Sequence, residues 1–223
     1  LRTLIHHPQV NIVSVMSASQ IGNKVSHIHT DLEGDLNLEF SDRIDQSCQI
    51  VFLCSGHGKS KAVVESNLIP QGAKIIDLSS DYRIKGSHDF VYGLPELNRE
   101  KIKTARRVAN PGCFATCIQL SVLPLAARGA LTNDVHIAAI TGSTGAGQNQ
   151  SVYTHFSWRS NNASVYKAFT HQHLAEIRQS LGELQEGFSR DLHFIPMRGA
   201  FTRGILAACY LKTEVSAEAA KIW

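Results

Sequence analysis

No apolar run in the 223 residues approaches the roughly 18 to 20 that a bilayer-spanning helix needs; stretches such as 50–54 and 204–211 stop far short. No signal-peptide pattern opens the chain, so no membrane partner is expected. Cysteine is sparse and odd in number, five in all, at Cys48, Cys54, Cys113, Cys117 and Cys209, with no CxxC pair. That excludes a disulfide framework and argues against a zinc centre, leaving a metal set of none and a reducing, cytoplasmic setting as the expectation. Charge of one sign is missing too: 22 Lys and Arg face 19 Asp and Glu, and no dense basic run with interleaved aromatics occurs. A nucleic-acid partner is therefore not expected. The GxGxxG dinucleotide fingerprint is absent, and the glycine-rich stretch at 141–147 is not followed by Gly-Lys-Ser/Thr, so it is no Walker loop.

What remains is ordinary globular material, 43% hydrophobic and 18% charged, enough for one large domain or two small ones. Residues 1–5 read as the last turns of a helix ending before Pro8. Residues 10–16, 49–53 and 73–78 are short β-branched runs, apolar on both faces, as buried parallel strands are. A crossover helix is expected at 59–67, which makes 10–78 a βαβ arrangement in a doubly wound sheet. After Asn110-Pro111-Gly112 the pattern changes. Residues 113–128 are helical, with Pro124 expected to kink or end the helix. Residues 135–141, 191–197 and 204–213 alternate as antiparallel strands with one covered face do, and 173–184 form an amphipathic helix. The expected fold class is α/β: a Rossmann-like doubly wound parallel sheet over residues 1–112, lacking its first part, then a mixed, largely antiparallel α+β catalytic domain over 113–223. Residues 216–223 read as a helix cut short, so both ends are expected to be truncated.

Cys113 follows a Pro-Gly turn at a helix start, where free backbone N–H groups and the positive end of the helix dipole stabilise a thiolate. It is either a nucleophile or a small buried apolar residue. Cys117, one turn on, is assigned to packing. His171, His173 and Glu176 open the 173–184 helix; they suit a general acid/base with an orienting group, a zinc pair, or two surface histidines without a role. Zinc is discounted for lack of a third ligand at standard spacing. The 141–147 loop, with Thr141 and Gly142, has N–H groups that could wrap an anion. Arg198 and Arg203 could fork onto a carboxylate or phosphate, or stay solvated. The strand at 10–16 ends in Ser17-Ala18-Ser19, hydroxyls where an NAD enzyme usually carries an acid, which favours NADP. Ser55 and Gly56 end the next strand, at the edge where open parallel sheets bind ligands.

Asp77-Leu-Ser-Ser-Asp-Tyr-Arg83, Tyr92-Gly-Leu-Pro-Glu96, Asn110-Pro-Gly-Cys-Phe-Ala-Thr116, the loop at 141–147, His171-Gln-His173 with Glu176, and Ile195-Pro-Met-Arg with Thr202-Arg-Gly204 occur in this order. Together they resemble the N-acetyl-gamma-glutamyl-phosphate reductase family of the semialdehyde dehydrogenase group, over nearly the whole chain. The resemblance implies NADPH-dependent reduction of N-acetyl-glutamyl 5-phosphate to the 5-semialdehyde, with phosphate release through a cysteine thioester, in arginine biosynthesis. Cys113 matches the nucleophile and His171 the acid/base. His173, Glu176 and Tyr166 stand around His171, and Thr141 stands where relatives often have serine. The cofactor set is then Ser17, Ser19, Ser55 and Gly56. The expected partner is a small-molecule acyl phosphate, and a homo-oligomer, dimer or tetramer, is expected. The family's nucleotide loop would precede Leu1. Rival readings are an aminoadipyl- or aspartyl-phosphate reductase, a Cys/His hydrolase or acyltransferase, and a nonenzymatic nucleotide-binding module.

Overall fold

Short β-branched and aromatic runs build the sheets of this chain, whose computed structural model describes residues 1–147 and 149–221. Two compact units emerge. The first comprises Leu1–Tyr82, Ser87–Gly93 and Glu100–Asn110; the second comprises Arg83–Gly86, Leu94–Arg99 and everything from Pro111 onward.

The first unit runs β1 (Val15–Met16), α1 (Val25–Ile28), β2 (Phe40–Ser41), β3 (Ile50–Leu53), α2 (Ser60–Val64), β4 (Lys74–Asp77) and β5 (Val91–Tyr92). The chain continues through α3 (Pro95–Thr104), which is interrupted at Asn98, into β6 (Arg107–Ala109). All strand pairs here are parallel, in a sheet of order β3-β4-β6-β5 and a separate pair β1-β2. The core gathers Ile44, Val51, Leu53, Ile75, Tyr82, Phe90 and Ala109, with Tyr82 stacked on Phe90 at 4.0 Å. Burying those side chains removes apolar surface from water and is the main driving force for this unit.

Several expectations need correction. Residues 1–5 form a hydrogen-bonded turn, with the N–H groups of Leu4 and Ile5 both donating to Leu1, and not the end of a helix. The strand expected at 10–16 is confined to Val15–Met16, and the 59–67 helix to Ser60–Val64. The strands β3 and β4 bury one face fully: Val51 and Leu53 are buried, while Ile50 (48%) and Phe52 (39%) are exposed. The elements α3, β5 and β6 are too short or too polar to carry a readable period.

The second unit runs α4 (Cys113–Ala126), β7 (Val135–Thr141), α5 (Phe156–Arg159), β8 (Ser164–Val165), α6 (His173–Leu184), β9 (Leu192–Arg198), β10 (Ile205–Tyr210) and α7 (Ala217–Ala220). The sheet order is β10-β7-β9-β8, with β7 and β9 parallel and the other pairs antiparallel. The helix α4 does not end at Pro124 but runs two residues further, to Ala126, because losing one backbone bond is offset by burial of Val122, Leu123 and Ala126 around it. It packs on α6 and β10. One sheet face is buried through Val135, Ile137, Ala139, Leu192 and Phe194. The opposite face carries three cross-strand rows: Leu206-Ile140-Met197-Val165, Ala208-Ala138-Ile195 and Tyr210-His136-His193. Leu206 is 71% and Tyr210 64% exposed. The helix expected over 216–223 is found at Ala217–Ala220; Ile222 and Trp223 lie outside the described residues.

Candidate functional site

The second unit assembles a polar cluster around the start of α4. Gly112 is the N-cap residue and no side chain caps the helix, so the backbone N–H groups of its first turn carry the positive end of the dipole. Cys113, the first helical residue, is exposed. The next residue, Phe114, is 1% exposed and anchors the turn against Phe194 at 5.2 Å and against the His171 ring at 5.5 Å, edge-on. Cys117 is half-buried, as expected for packing, and burial pushes its thiol up.

Tyr166 to His171 form a tight bend in which Lys167 (φ 44°) and Phe169 (φ 62°) both adopt left-handed backbone, a costly conformation for such residues. The bend turns the His171 ring to within 5.8 Å of Tyr166 and 4.6 Å of His173. His171 is 5% exposed, and its Nδ1 accepts the backbone N–H of His173 at 3.2 Å. The neutral ring therefore carries its proton on Nε2. Burial, followed by the nearby His173 and Lys167, pulls its pKa down to about 4.

Glu176, expected beside the histidines, meets two further groups as well as His173. Its Oε2 accepts the Gly112 N–H at 2.8 Å, its Oε1 takes Arg83 at 3.2 Å, and His173 Nε2 stands 4.0 Å away. Glu176 and Arg83 are 3% and 7% exposed, so this is a buried ion pair. One turn on, Gln179 accepts the Lys85 N–H and donates to the Arg83 carbonyl, and Glu183 pairs with Lys85 at 2.9 Å. Glu176, Gln179 and Glu183 thus make one helical stripe that holds the 83–86 segment. The sequence reading missed Gln179 and Glu183, although their spacing on the polar side of an amphipathic helix was the available signal.

Arg198 lies over the Tyr166 ring at 4.7 Å, and burial is the main cause that raises the Tyr166 hydroxyl, with the Cys113 side chain a small contributor. Thr141 is buried at the end of β7. The anion-wrapping role expected of the 141–147 loop is corrected: the N–H groups of Gly142, Ser143 and Thr144 donate to Gly204, Phe201 and Thr202. Gly142 is required there because a Cβ would lie 2.6 Å from the Thr202 carbonyl oxygen. Arg203 is exposed, and its backbone passes close to Gly142. Asp134, Asp191 and His193 bring ligand atoms within 4.8 Å of one another on the surface, but Asp134 already accepts the Asp191 N–H and Asp191 pairs with Arg178.

In the first unit, Ser17 and Ser19 follow β1, and Ser55 and Gly56 follow β3. Ser19, Ser55 and Gly56 are exposed, and Gly56 (φ 91°) has open space where a Cβ would sit. Hydroxyls and an unobstructed backbone at strand ends fit the ribose and phosphates of a dinucleotide. The start of α2 is not part of that cradle, because Asp81 already accepts the N–H groups of Gly58 (2.7 Å) and Ser60 (3.1 Å).

Two family models match the chain. The one for "Semialdehyde dehydrogenase, NAD binding domain" covers residues 1–105, and the one for "Semialdehyde dehydrogenase, dimerisation domain" covers 113–223. N-acetyl-gamma-glutamyl-phosphate reductases from Parabacteroides distasonis and Bacteroides fragilis are 52% and 53% identical over 96% and 98% of this chain, and over 67% and 68% of their own lengths. The chain belongs to the N-acetyl-gamma-glutamyl-phosphate reductase family. The reductase of Flavobacterium johnsoniae is 52% identical over 98% of the chain and 69% of its own length. The reductase chain shares its fold with aspartate semialdehyde dehydrogenase II of Vibrio cholerae, at TM-score 0.68 and 14% identity over 96% of this chain and 70% of that one. A Candida albicans aspartate semialdehyde dehydrogenase, solved with NADP, gives TM-score 0.65 at 12% identity, over 96% and 67%. No helix among the described residues of this reductase is long and apolar enough to cross a membrane.

Proposed function

We propose that this chain reduces N-acetyl-glutamyl 5-phosphate to N-acetyl-glutamate 5-semialdehyde with NADPH, releasing phosphate, as a cytoplasmic step of arginine biosynthesis. The observation that carries the reading is the exposed Cys113 at an uncapped helix start, in one unit with a buried His171 whose neutral ring holds its proton on Nε2.

The Cys113 Sγ, as thiolate, attacks the acyl carbon; the C–S bond forms as the C–O bond to phosphate breaks, and phosphate leaves with the electron pair. The N–H groups at the start of α4 face the oxyanion that develops. A bound nicotinamide supplies the hydride. The reduced carbon then bears an alkoxide on a thiohemiacetal, and His171 donates a hydrogen bond to that oxygen from Nε2. Collapse breaks the C–S bond, frees the aldehyde and restores the thiolate, so no proton has to be transferred to complete the cycle. On this route His171 acts as a neutral hydrogen-bond donor, where the resemblance implies an acid/base. Arg198, beside Tyr166, receives an anionic group of the substrate.

Ser17 and Ser19, hydroxyls with no acid between them, favour NADPH over NADH. The uncovered face of the second unit's sheet takes a second copy of the chain, because its row of Leu206, Ile140, Met197 and Val165 is a continuous apolar strip.

Incubating the chain with NADPH and N-acetyl-glutamyl phosphate tests the reading. Nucleotide oxidation matched by phosphate release is expected, with Cys113→Ser folded and inactive; turnover unchanged in Cys113→Ser overturns it.

A further inference from the structure

Arg159 has no part in the proposed reaction, yet it is a buried cation whose hydrogen-bond acceptors are all neutral. It closes α5 and is 5% exposed. Its Nη1 donates to the carbonyls of Asn162 and Arg198, and its Nη2 to the Ser164 hydroxyl at 2.9 Å. Its Nε is buried with no acceptor, and among the described residues Arg159 makes no ion pair. Arg198 is half-buried, its Nε likewise has no acceptor, and among the described residues it makes no ion pair. Sequestering the Arg159 guanidinium without a counter-ion is costly, and a second, half-buried cation beside it adds like charge.

The contacts of Arg159 converge on one place. Ser164 of β8 is the register partner of Arg198 of β9, so Arg159 clamps both strands where they end. It grips the Arg198 backbone and leaves the Arg198 side chain to lie over Tyr166. A solitary structural arginine would gain more from a carboxylate than from two carbonyls and a hydroxyl. Neutral acceptors leave the positive charge uncancelled.

We propose that Arg159 is a positioning residue that fixes Arg198 and keeps the pair's charge unneutralised, forming a subsite for a substrate oxyanion, either the α-carboxylate or the phosphoryl group. The proposal deepens the reductase reading and rests on it for the substrate's identity. It predicts that the subsite binds anions in the absence of nucleotide and turnover.

Equilibrium binding to the whole chain, by calorimetry, tests this with three probes: N-acetylglutamate, 4-acetamidobutyrate, which lacks the α-carboxylate, and inorganic phosphate. Arg159→Met is expected to weaken N-acetylglutamate by roughly tenfold or more while leaving 4-acetamidobutyrate within about twofold, if the carboxylate is the ligand. Selective loss of phosphate binding assigns the phosphoryl group instead. Arg159→Lys, which keeps the charge but not the forked grip, is expected to fall between and guards against misfolding of the Met variant. Equal weakening of all three probes, no weakening of any, or a parent chain that binds none of them overturns the proposal. Failure of the reductase reading shows separately, as absent NADPH oxidation by a parent chain that still binds the anion.

Discussion

Glu176 accepts the backbone N–H of Gly112 at 2.8 Å, so the residue that starts α4 is tied to the first turn of α6 through a side chain only 3% exposed. The same carboxylate holds Arg83. Removing it takes the carboxylate of a buried ion pair away from Arg83, and Glu176→Ala is expected to lower stability by about 3–5 kcal/mol in denaturant unfolding. Glu176→Gln keeps an acceptor for Gly112 and should lose less. Stability of the alanine variant within about 0.5 kcal/mol of the parent would show that the pair contributes nothing net.

Gly112 has no room for a side chain. A Cβ there would stand 2.3 Å from His173 Nε2 and 2.6 Å from two ring carbons, and the ring is itself buried. Gly112→Ala must therefore displace either the histidine or the start of α4. A loss of about 1–3 kcal/mol is expected, together with reduced turnover, since Cys113 is the next residue. Adding His173→Ala should recover part of the stability by making space; a double variant no better than Gly112→Ala would put the strain elsewhere.

How much of this was legible in the sequence follows from where periodicity acts. The helix at 173–184 is readable from its amphipathic repeat, and the strands near 50–53 and 74–77 from short, continuous β-branched apolar runs. The two-residue strands β1 and β5 carry no period to read. Pro124 does not end α4, because a local rule gave way to tertiary burial of its neighbours. Cys113, His171 and Glu176 could be named from motifs, but which atom of Glu176 meets which donor depends on Arg83, 93 residues away in the chain. Arg159 carries no motif: its significance lies in its neutral acceptors, one of them the Arg198 carbonyl 39 residues away in the chain. The 141–147 loop shows the reverse error, since glycine-rich sequence suggested free N–H groups that the 201–204 segment had already taken.

Leu206 offers a test of assembly. It is 71% exposed and sits at the end of the apolar row on the uncovered sheet face. Because it contributes little to the core of its own chain, Leu206→Glu should change monomer stability by no more than about 0.5 kcal/mol. Sedimentation is expected to show the parent as a dimer or larger and the variant shifted towards monomer. A variant that assembles as well as the parent would move the interface to another surface.

The strongest pH signature belongs to His171. Its pKa falls from an ordinary 6.5 to about 4, first because burial penalises the charged ring, then because His173 and Lys167 add like charge; Glu176 pulls weakly the other way. Between those two values the unfolded chain binds a proton that the folded one does not, so stability must rise with pH across that window. The contribution is complete above 6.5 and is lost as pH falls towards 4. Catalysis should accordingly show no inflection from this ring near 6.5, because a neutral Nε2 donor is present throughout the range where the enzyme is folded. Histidine-selective NMR titration checks this directly: the His171 resonance should move with a midpoint near 4, and His171→Gln should flatten the stability profile between pH 4 and 6.5. A midpoint at 6 or above would return His171 to the role of a proton-transferring acid/base and remove the neutral-donor mechanism.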